Sequence, residues 1–373
     1  MLENPKSRSR LLRPAAAAPA AAVVPRQARR GHGRVTLQDV AQAAEVTSIT
    51  VSRYLREPNR VAPDTGERIR AALAQTGYVP NRQAGLLASG VSNIVAVLLP
   101  NLANSIFAET AQGLSDGLQD AGFQLLITST AYSLEREEAQ LRSLLGWHPA
   151  ALVVTGRRHS PGAQALLAQA RRAGTPVVEI WDRHEARPGG PQFAQVGFHH
   201  DAVGRAMAEH LLQRGHRRLA YVDSGVNEDY RAHERGLAFA ETARAAGAQV
   251  SVHVAPAGEA FDAGRAVLGV LMLRAGGAPT AAAFANDHLA CGALLEAGQR
   301  GIGVPAQLAL LGFGDFAISR QLLPALSTVA LPRHEIGREA ARAVLLALSK
   351  GQAAVSKSLP WRVLARASTG DKA

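Results

Sequence analysis

From residue 94 onward the chain repeats one unit, a short apolar run followed by a longer stretch of helical character. The runs are Ile94–Leu99, Gln124–Ser129, Ala151–Val154, Val177–Ile180, Ala194–Val196, Leu219–Val222, Val250–Val254, Ala282–Ala285 and Leu308–Gly312. They are too evenly apolar to be alternating strands of a sheet with one wet face, so they predict parallel strands covered by helices on both sides. The 280 residues from 94 to 373 are too many for one such sheet and predict two doubly wound α/β lobes. Composition agrees, since 5% aromatic residues and 35 glycines suit close helix-on-sheet contact better than a β-sandwich. No stretch approaches the ~18 uninterrupted apolar residues that would suggest a membrane span. The single cysteine, Cys291, excludes an internal disulfide framework and a multi-cysteine metal site.

The formal net charge of +11 is unevenly placed. Residues 1–33 hold Lys6, Arg8, Arg10, Arg13, Arg26, Arg29 and Arg30 against Glu3 alone, residues 34–90 hold seven arginines against five acids, and the rest is nearly balanced. The excess at the N-terminal end points to an anionic partner there, most simply nucleic acid. Residues 1–33, with Ala15–Ala22 interrupted by Pro19, read as a disordered basic arm. A signal peptide is the rival, because Lys6–Arg13 precedes an apolar run. That run is Ala-rich, carries a proline and is weakly hydrophobic, so a cytoplasmic, nucleoid-associated location is expected.

Residues 34–80 have a helical period. Leu37, Val40, Ala41 and Ala44 recur at i, i+3, i+4 and i+7 behind Thr36, a natural N-cap. A second helix can start at Thr47 with Val51 and Leu55 inward. A third starts near Pro63, with Ile69, Ala72 and Leu73 inward, and ends at Gly77. The first two make a helix-turn-helix candidate, with Ala41 and Ala44 small enough for a close crossing. The second helix presents Thr47, Ser48, Ile49, Thr50, Ser52 and Arg53 near its start, where a recognition helix enters the major groove. Hydroxyls there can bond phosphates or base edges, Ile49 can pack on a thymine methyl, and Arg53 can reach guanine or phosphate. A three-helix domain with a merely solvated second helix is the alternative.

Three motifs carry a resemblance. They are Val35-Thr36-Leu37-Gln38-Asp39-Val40-Ala41, then Val46-Thr47 with Thr50-Val51-Ser52-Arg53, then Gly77-Tyr78-Val79-Pro80-Asn81-Arg82-Gln83-Ala84. Together they resemble the headpiece of the lactose-repressor (LacI/GalR) family, and the similarity runs over roughly residues 34–370. The resemblance implies a dimeric repressor of a near-palindromic DNA operator, switched by a small metabolite in a periplasmic-binding-protein-like core spanning 91–373. It also implies that residues 81–90 are a hinge helix and linker. It adds Thr36 to the DNA contacts of the headpiece and Asn81 and Arg82 to those of the hinge, where Ala84 and Leu87 enter the minor groove as an apolar wedge. Two departures stand out: Glu45 replaces the usual turn glycine, and Gly66 within the third helix implies a marginal headpiece that firms up on DNA.

Ligand contacts in a two-lobed α/β core are expected at the carboxyl ends of the strands. Asp182, Arg231, Asn286 with Asp287, and Asp315 lie there, although each can also serve as a helix cap. The resemblance makes Arg231 the effector-binding arginine and places Asp182, Asn286, Asp315, Asn101 and Phe107 at the cleft. The stretches Thr155–Ser160 and Thr175–Asp182 resemble gluconate-type repressors of the family. A sugar acid would be anchored by Arg231, its hydroxyls read by Asp182 and Asn286, with help from His159. Purines and neutral sugars stay open. An exported sugar-binding protein would share the core without needing residues 34–90. An enzyme is disfavoured, because no dinucleotide-binding glycine motif, phosphate loop or nucleophile elbow is present. Cys291 reads as a buried inert thiol, and His199-His200 lacks metal partners at useful spacing, so neither cofactor nor metal is expected.

Overall fold

The computed structural model describes residues 35–80, 92–102, 106–184, 193–273, 277–351 and 355–370. The chain divides into two compact units, one up to Ser89 and one from Gly90 onward. In the first, α1 (Leu37–Ala43), α2 (Ser48–Arg56) and α3 (Pro63–Thr76) close on a core of Val40, Ala41, Ala44, Val51, Ile69 and Ala72. Thr36 and Asp39 form a reciprocal capping box, in which the Asp39 carboxylate accepts from the Thr36 N–H at 2.7 Å. Thr47 caps α2 by accepting from the Thr50 N–H at 3.2 Å. Glu45 turns the chain between α1 and α2 at φ 53°, a left-handed position held without glycine. Gly66 has a packing reason that its helix propensity does not reveal: a Cβ there would lie 3.1 Å from the Tyr54 ring.

The second unit is built on two parallel sheets. The first contains β1 (Ile94–Leu99), β2 (Gln124–Ser129), β3 (Ala151–Thr155), β4 (Val177–Ile180) and β5 (Ala194–Gly197) in the order β2-β1-β3-β4-β5. The second contains β6 (Arg218–Asp223), β7 (Gln249–Val254), β8 (Ala281–Phe284) and β9 (Ala309–Leu311) in the order β7-β6-β8-β9. Each predicted run thus forms a strand, and the central ones are buried on both faces. Three very short strands complete the set among the described residues. β10 (Thr328–Ala330) pairs antiparallel with β12 (Arg362–Leu364), and β11 (Lys357–Ser358) extends the first sheet beyond β5. The crossover helices are α4 (Ala108–Gln119), α5 (Leu134–Leu145), α6 (Pro161–Arg172), α7 (His200–Leu212), α8 (Tyr230–Ala245), α9 (Ala260–Met272), α10 (Asp287–Gln299) and α11 (Arg333–Lys350).

This order makes the chain cross between the sheets after β5, after β10 and after β11, so each lobe is completed by a segment from the far end of the sequence. In each sheet the strand order reverses around its first strand, β1 or β6, and ligands bind in the crevice outside the carboxyl ends at such points. Among the described residues no helix is long and apolar enough to cross a membrane.

Candidate nucleic-acid interface and effector cavity

In the headpiece, the structure already uses some of the hydroxyls assigned to DNA. The Thr36 hydroxyl donates to the Asp39 carboxylate at 2.8 Å, and those of Thr47 and Thr50 lie 2.9 Å apart at the start of α2. Ser52 is half-buried, and its hydroxyl accepts from Arg56 at 3.3 Å. Ser48, Ile49 and Arg53 are exposed on α2, with Ile49 at 69%, a large apolar group left in water on a helix whose other face is core. Asn81, Arg82, Ala84 and Leu87 lie outside the described residues. Residues 35–80 hold five arginines and five acids, so the positive excess of the N-terminal region lies outside the three-helix fold.

Between the two sheets of the second unit lies a cavity of about 290 Å³. The first lobe contributes Asn101, Phe107, Tyr132 and Trp181, and the second contributes Arg231, Arg235, Asn286, His288, Phe313 and Phe316. Trp181 stands at the end of β4 in a left-handed conformation, φ 71°, with its ring edge-on to Phe107 at 5.1 Å. Its indole N–H donates to Thr110 at 3.1 Å. A bulky residue at such a φ is strained, and strain of this kind collects at ligand sites.

Two arginines one helical turn apart on α8 set the electrostatics. Arg231 is 5% exposed, and its guanidinium lies 3.9 Å from Asp182. That carboxylate is shared, because Arg157 approaches it at 3.7 Å and the Tyr230 hydroxyl donates to it. Burial pushes the Asp182 carboxyl up to about 6, opposed by Arg231, Arg157 and Tyr230. Arg235 is 3% exposed; it donates to the Ala285 carbonyl at 3.0 Å and lies 3.8 Å above the Phe313 ring. It also donates to His200 Nδ1 at 3.0 Å. An arginine can only donate, so His200 must carry its proton on Nε2, which donates to the Trp181 carbonyl at 2.8 Å. Burial, then Arg235 and Arg231, hold that imidazole neutral, its pKa well below the ordinary value. Arg235 Nε is buried without a hydrogen-bond partner, and among the described residues no carboxylate lies within ion-pairing distance of Arg235.

Asn286 caps α10, its side-chain oxygen accepting from the Leu289 N–H at 3.0 Å, which leaves its amide donors for a ligand. The neighbouring Asp287 is fully buried and fastens the following loop, accepting from the Phe316 N–H at 3.0 Å and from the hydroxyls of Ser319 at 2.6 Å and Thr328 at 2.5 Å.

Of the residues expected at the cleft, Asn101, Phe107, Arg231 and Asn286 line the cavity. Asp182 instead stands behind it as the partner of Arg231, Arg157 and Tyr230, so it positions groups where hydroxyl reading was expected. Asp315 is turned away at φ 52°, its carboxylate bonded by Arg366 at 2.5 Å. His159 does not line the cavity. It is buried in the first lobe, 2.7 Å from Glu137 and 3.4 Å from Glu179, two carboxylates that draw the ring inward. Arg235, Tyr132, Trp181, His200, His288 and Phe316 also line the cavity, and none of them is among the residues expected at the cleft. Only Arg235 carried a signal, its i, i+4 spacing from Arg231 on a helix. Among the described residues no three His, Cys, Asp or Glu side chains are grouped so as to hold a metal ion.

Comparison with known proteins bears on both units. Residues 36–81 match the family of bacterial regulatory proteins described as lacI, and residues 208–369 match the periplasmic binding protein-like domain. The chain is 38% identical over 351 residues to the HTH-type transcriptional regulator GntR of Pseudomonas aeruginosa, covering 91% of this chain and 97% of that one. Among solved structures, a LacI-family transcriptional regulator from Silicibacter pomeroyi matches with a TM-score of 0.82 at 34% identity, covering 90% of this chain and all of that one. The lac repressor dimer bound to operator and the anti-inducer ONPF matches with a TM-score of 0.77 at 25% identity, over 91% of this chain and all of that one.

Proposed function

This chain belongs to the lacI family of bacterial regulatory proteins and is a DNA-binding transcriptional regulator, and on that footing we propose that the anion of a sugar acid, gluconate or a near relative, is the metabolite its core cavity takes. The observation that carries this reading is Arg235, a buried cation with no carboxylate of the described residues beside it. A buried charge is costly until it is paired, and a carboxylate ligand supplies the missing partner through charge-assisted bonds. Arg231 adds to the demand, because its only carboxylate within ion-pairing distance among the described residues is shared with Arg157. Asn101 and Asn286 line the same cavity, and in this reading they bond the ligand's hydroxyls. A neutral sugar or a purine would leave Arg235 without a counter-charge.

A thermal-shift comparison of gluconate, the neutral polyol glucitol and adenine tests this. Gluconate alone should raise Tm, since a ligand at a hundred times its Kd stabilises the native state by about 2.7 kcal/mol. A rise with glucitol or adenine and none with gluconate would count against the anion.

The same reading gives two copies of the chain on one near-palindromic operator, because a two-fold protein mirrors a two-fold site. Sedimentation of the complex with a duplex selected from a random pool should give two chains per duplex, with affinity falling steeply as salt rises. One chain per duplex at saturation would overturn the dimer.

A further inference from the structure

We propose that Arg333, a residue outside the cavity, is a coupling residue that makes the position of the first lobe's α4–α11 helix pair depend on what the cavity holds. The proposal rests on the reading that the cavity takes an effector. Arg333 is the first residue of α11, where the chain crosses back from the second lobe. Its guanidinium donates to the Gly314 carbonyl at 2.6 Å and to the Asp315 carbonyl at 3.2 Å, both in the second lobe. The same group pairs with Glu109 of α4 at 2.7 Å, in the first lobe. It also lies 5.0 Å above the ring of Phe316, which lines the cavity and stacks on His288 at 4.5 Å.

A second line of bonds reaches the same residue. The cavity-lining Trp181 donates to Thr110, whose hydroxyl donates to the Arg333 carbonyl at 2.9 Å. One residue is thus tied at its backbone to one cavity wall and at its side chain to the other. What it ties them to is stiff, because α4 and α11 pack backbone against backbone. A Cβ on Gly113 would lie 2.0 Å from the His334 carbonyl oxygen, and one on Gly337 would lie 2.1 Å from that of Thr110. Such a pair cannot slide by small amounts, so a shift of the Phe313–Ser319 loop moves it as a body or breaks the Arg333 bonds. Asp287 fixes the other side of that loop beside Asn286, so a ligand at Asn286 and Phe316 biases the whole assembly.

The test uses full-length Arg333→Met, which keeps an apolar stem against Phe316, and Arg333→Lys, which keeps the charge but not the forked bonds. In the ligand-free protein, amide exchange at both 107–114 and 313–319 should quicken roughly tenfold in the Met variant, with strand 218–223 unchanged. Parental exchange in either segment would overturn the proposal. With gluconate as probe and a selected duplex, the factor by which ligand alters operator affinity should fall at least about fivefold, while gluconate affinity itself changes less than about threefold. A variant that keeps the parental factor would overturn the proposal; a merely structural arginine would lower both quantities together. Should the Met variant fail to fold, the Lys variant is read by the same criteria, with smaller changes of the same sign. Should the parent ignore gluconate, the sugar-acid reading falls by itself and the exchange result decides for Arg333.

Discussion

Replacing Arg235 by methionine will weaken gluconate binding by a hundredfold or more while leaving the ligand-free protein as stable as its parent or more so. The two halves of this result have one cause. Arg235 is buried, lacks a carboxylate partner among the described residues and keeps Nε unbonded, so without ligand it is a cation held at a cost. Replacing a buried ion pair by apolar groups of similar volume is often neutral or stabilising. Here no carboxylate among the described residues is stranded, and the relief of the buried cation offsets the donors lost by the Ala285 carbonyl and His200 Nδ1. A bound carboxylate reverses the balance. Removing the arginine then strands the ligand's charge, a loss of roughly 3–5 kcal/mol by analogy with broken buried pairs. At about 1.4 kcal/mol per decade that is a hundredfold to a thousandfold or more in Kd. Arg235→Lys should recover only part, because an ammonium cannot bond His200, Ala285 and the ligand in one plane. Calorimetry gives the affinity and ligand-free melting gives the stability. Parental affinity in the methionine variant would remove Arg235 from the site. A fall in ligand-free stability as large as the fall in binding would make it a structural residue.

The contrast between Arg231 and Arg235 shows where sequence reading stops. Strands buried on both faces leave uninterrupted apolar runs, so each run from Ile94–Leu99 to Leu308–Gly312 found its strand. The first three helices were legible because capping and turn chemistry is local, as Thr36, Thr47 and Gly77 show. β10 to β12 have at most three residues each, too short for any period, and their pairing is set by distant partners. Cavity residues divide the same way. Asn286 stands two residues past the end of β8 and could be placed from it, whereas Tyr132 and Phe316 come from loops whose course no local pattern dictates. Asp182 was placed correctly at a strand end, but whether it faces ligand or Arg231 depends on Tyr230 and Arg157, far along the chain. His159 is the extreme case. A polar residue next to Ser160 and Pro161 reads as surface, and only the fold brings Glu137 and Glu179 to either side of it.

That burial gives the protein an alkaline liability. Burial alone would lower the pKa of His159, but the hydrogen bond to Glu137 and the close negative charges of Glu137 and Glu179 outweigh it and carry the ring up to about 9. In the unfolded chain the same ring titrates near its ordinary value of 6.5. A base whose folded pKa is raised contributes fully below its unfolded pKa and loses that contribution as pH climbs through the folded one. Between those two titration points each pH step of one costs about 1.36 kcal/mol, so stability of the parent should fall by roughly 3 kcal/mol from this group between about pH 6.5 and pH 9.5. Above that range a neutral imidazole is left between two buried carboxylates, one of which already has an oxygen without a hydrogen-bond partner. His200, His210, His216 and His288 are all shifted downward, so their effect lies on the acid side, and the buried Cys291 thiol, pushed up to about 12, acts equally in parent and variant. The difference between parent and His159→Gln isolates the triad. At pH 6.5 the variant should be less stable by about the same 3 kcal/mol, and by pH 9.5 the two denaturation curves should nearly coincide. Curves that stay parallel across that window would mean that the ring is neutral in the folded protein and that the two glutamates hold it by geometry alone.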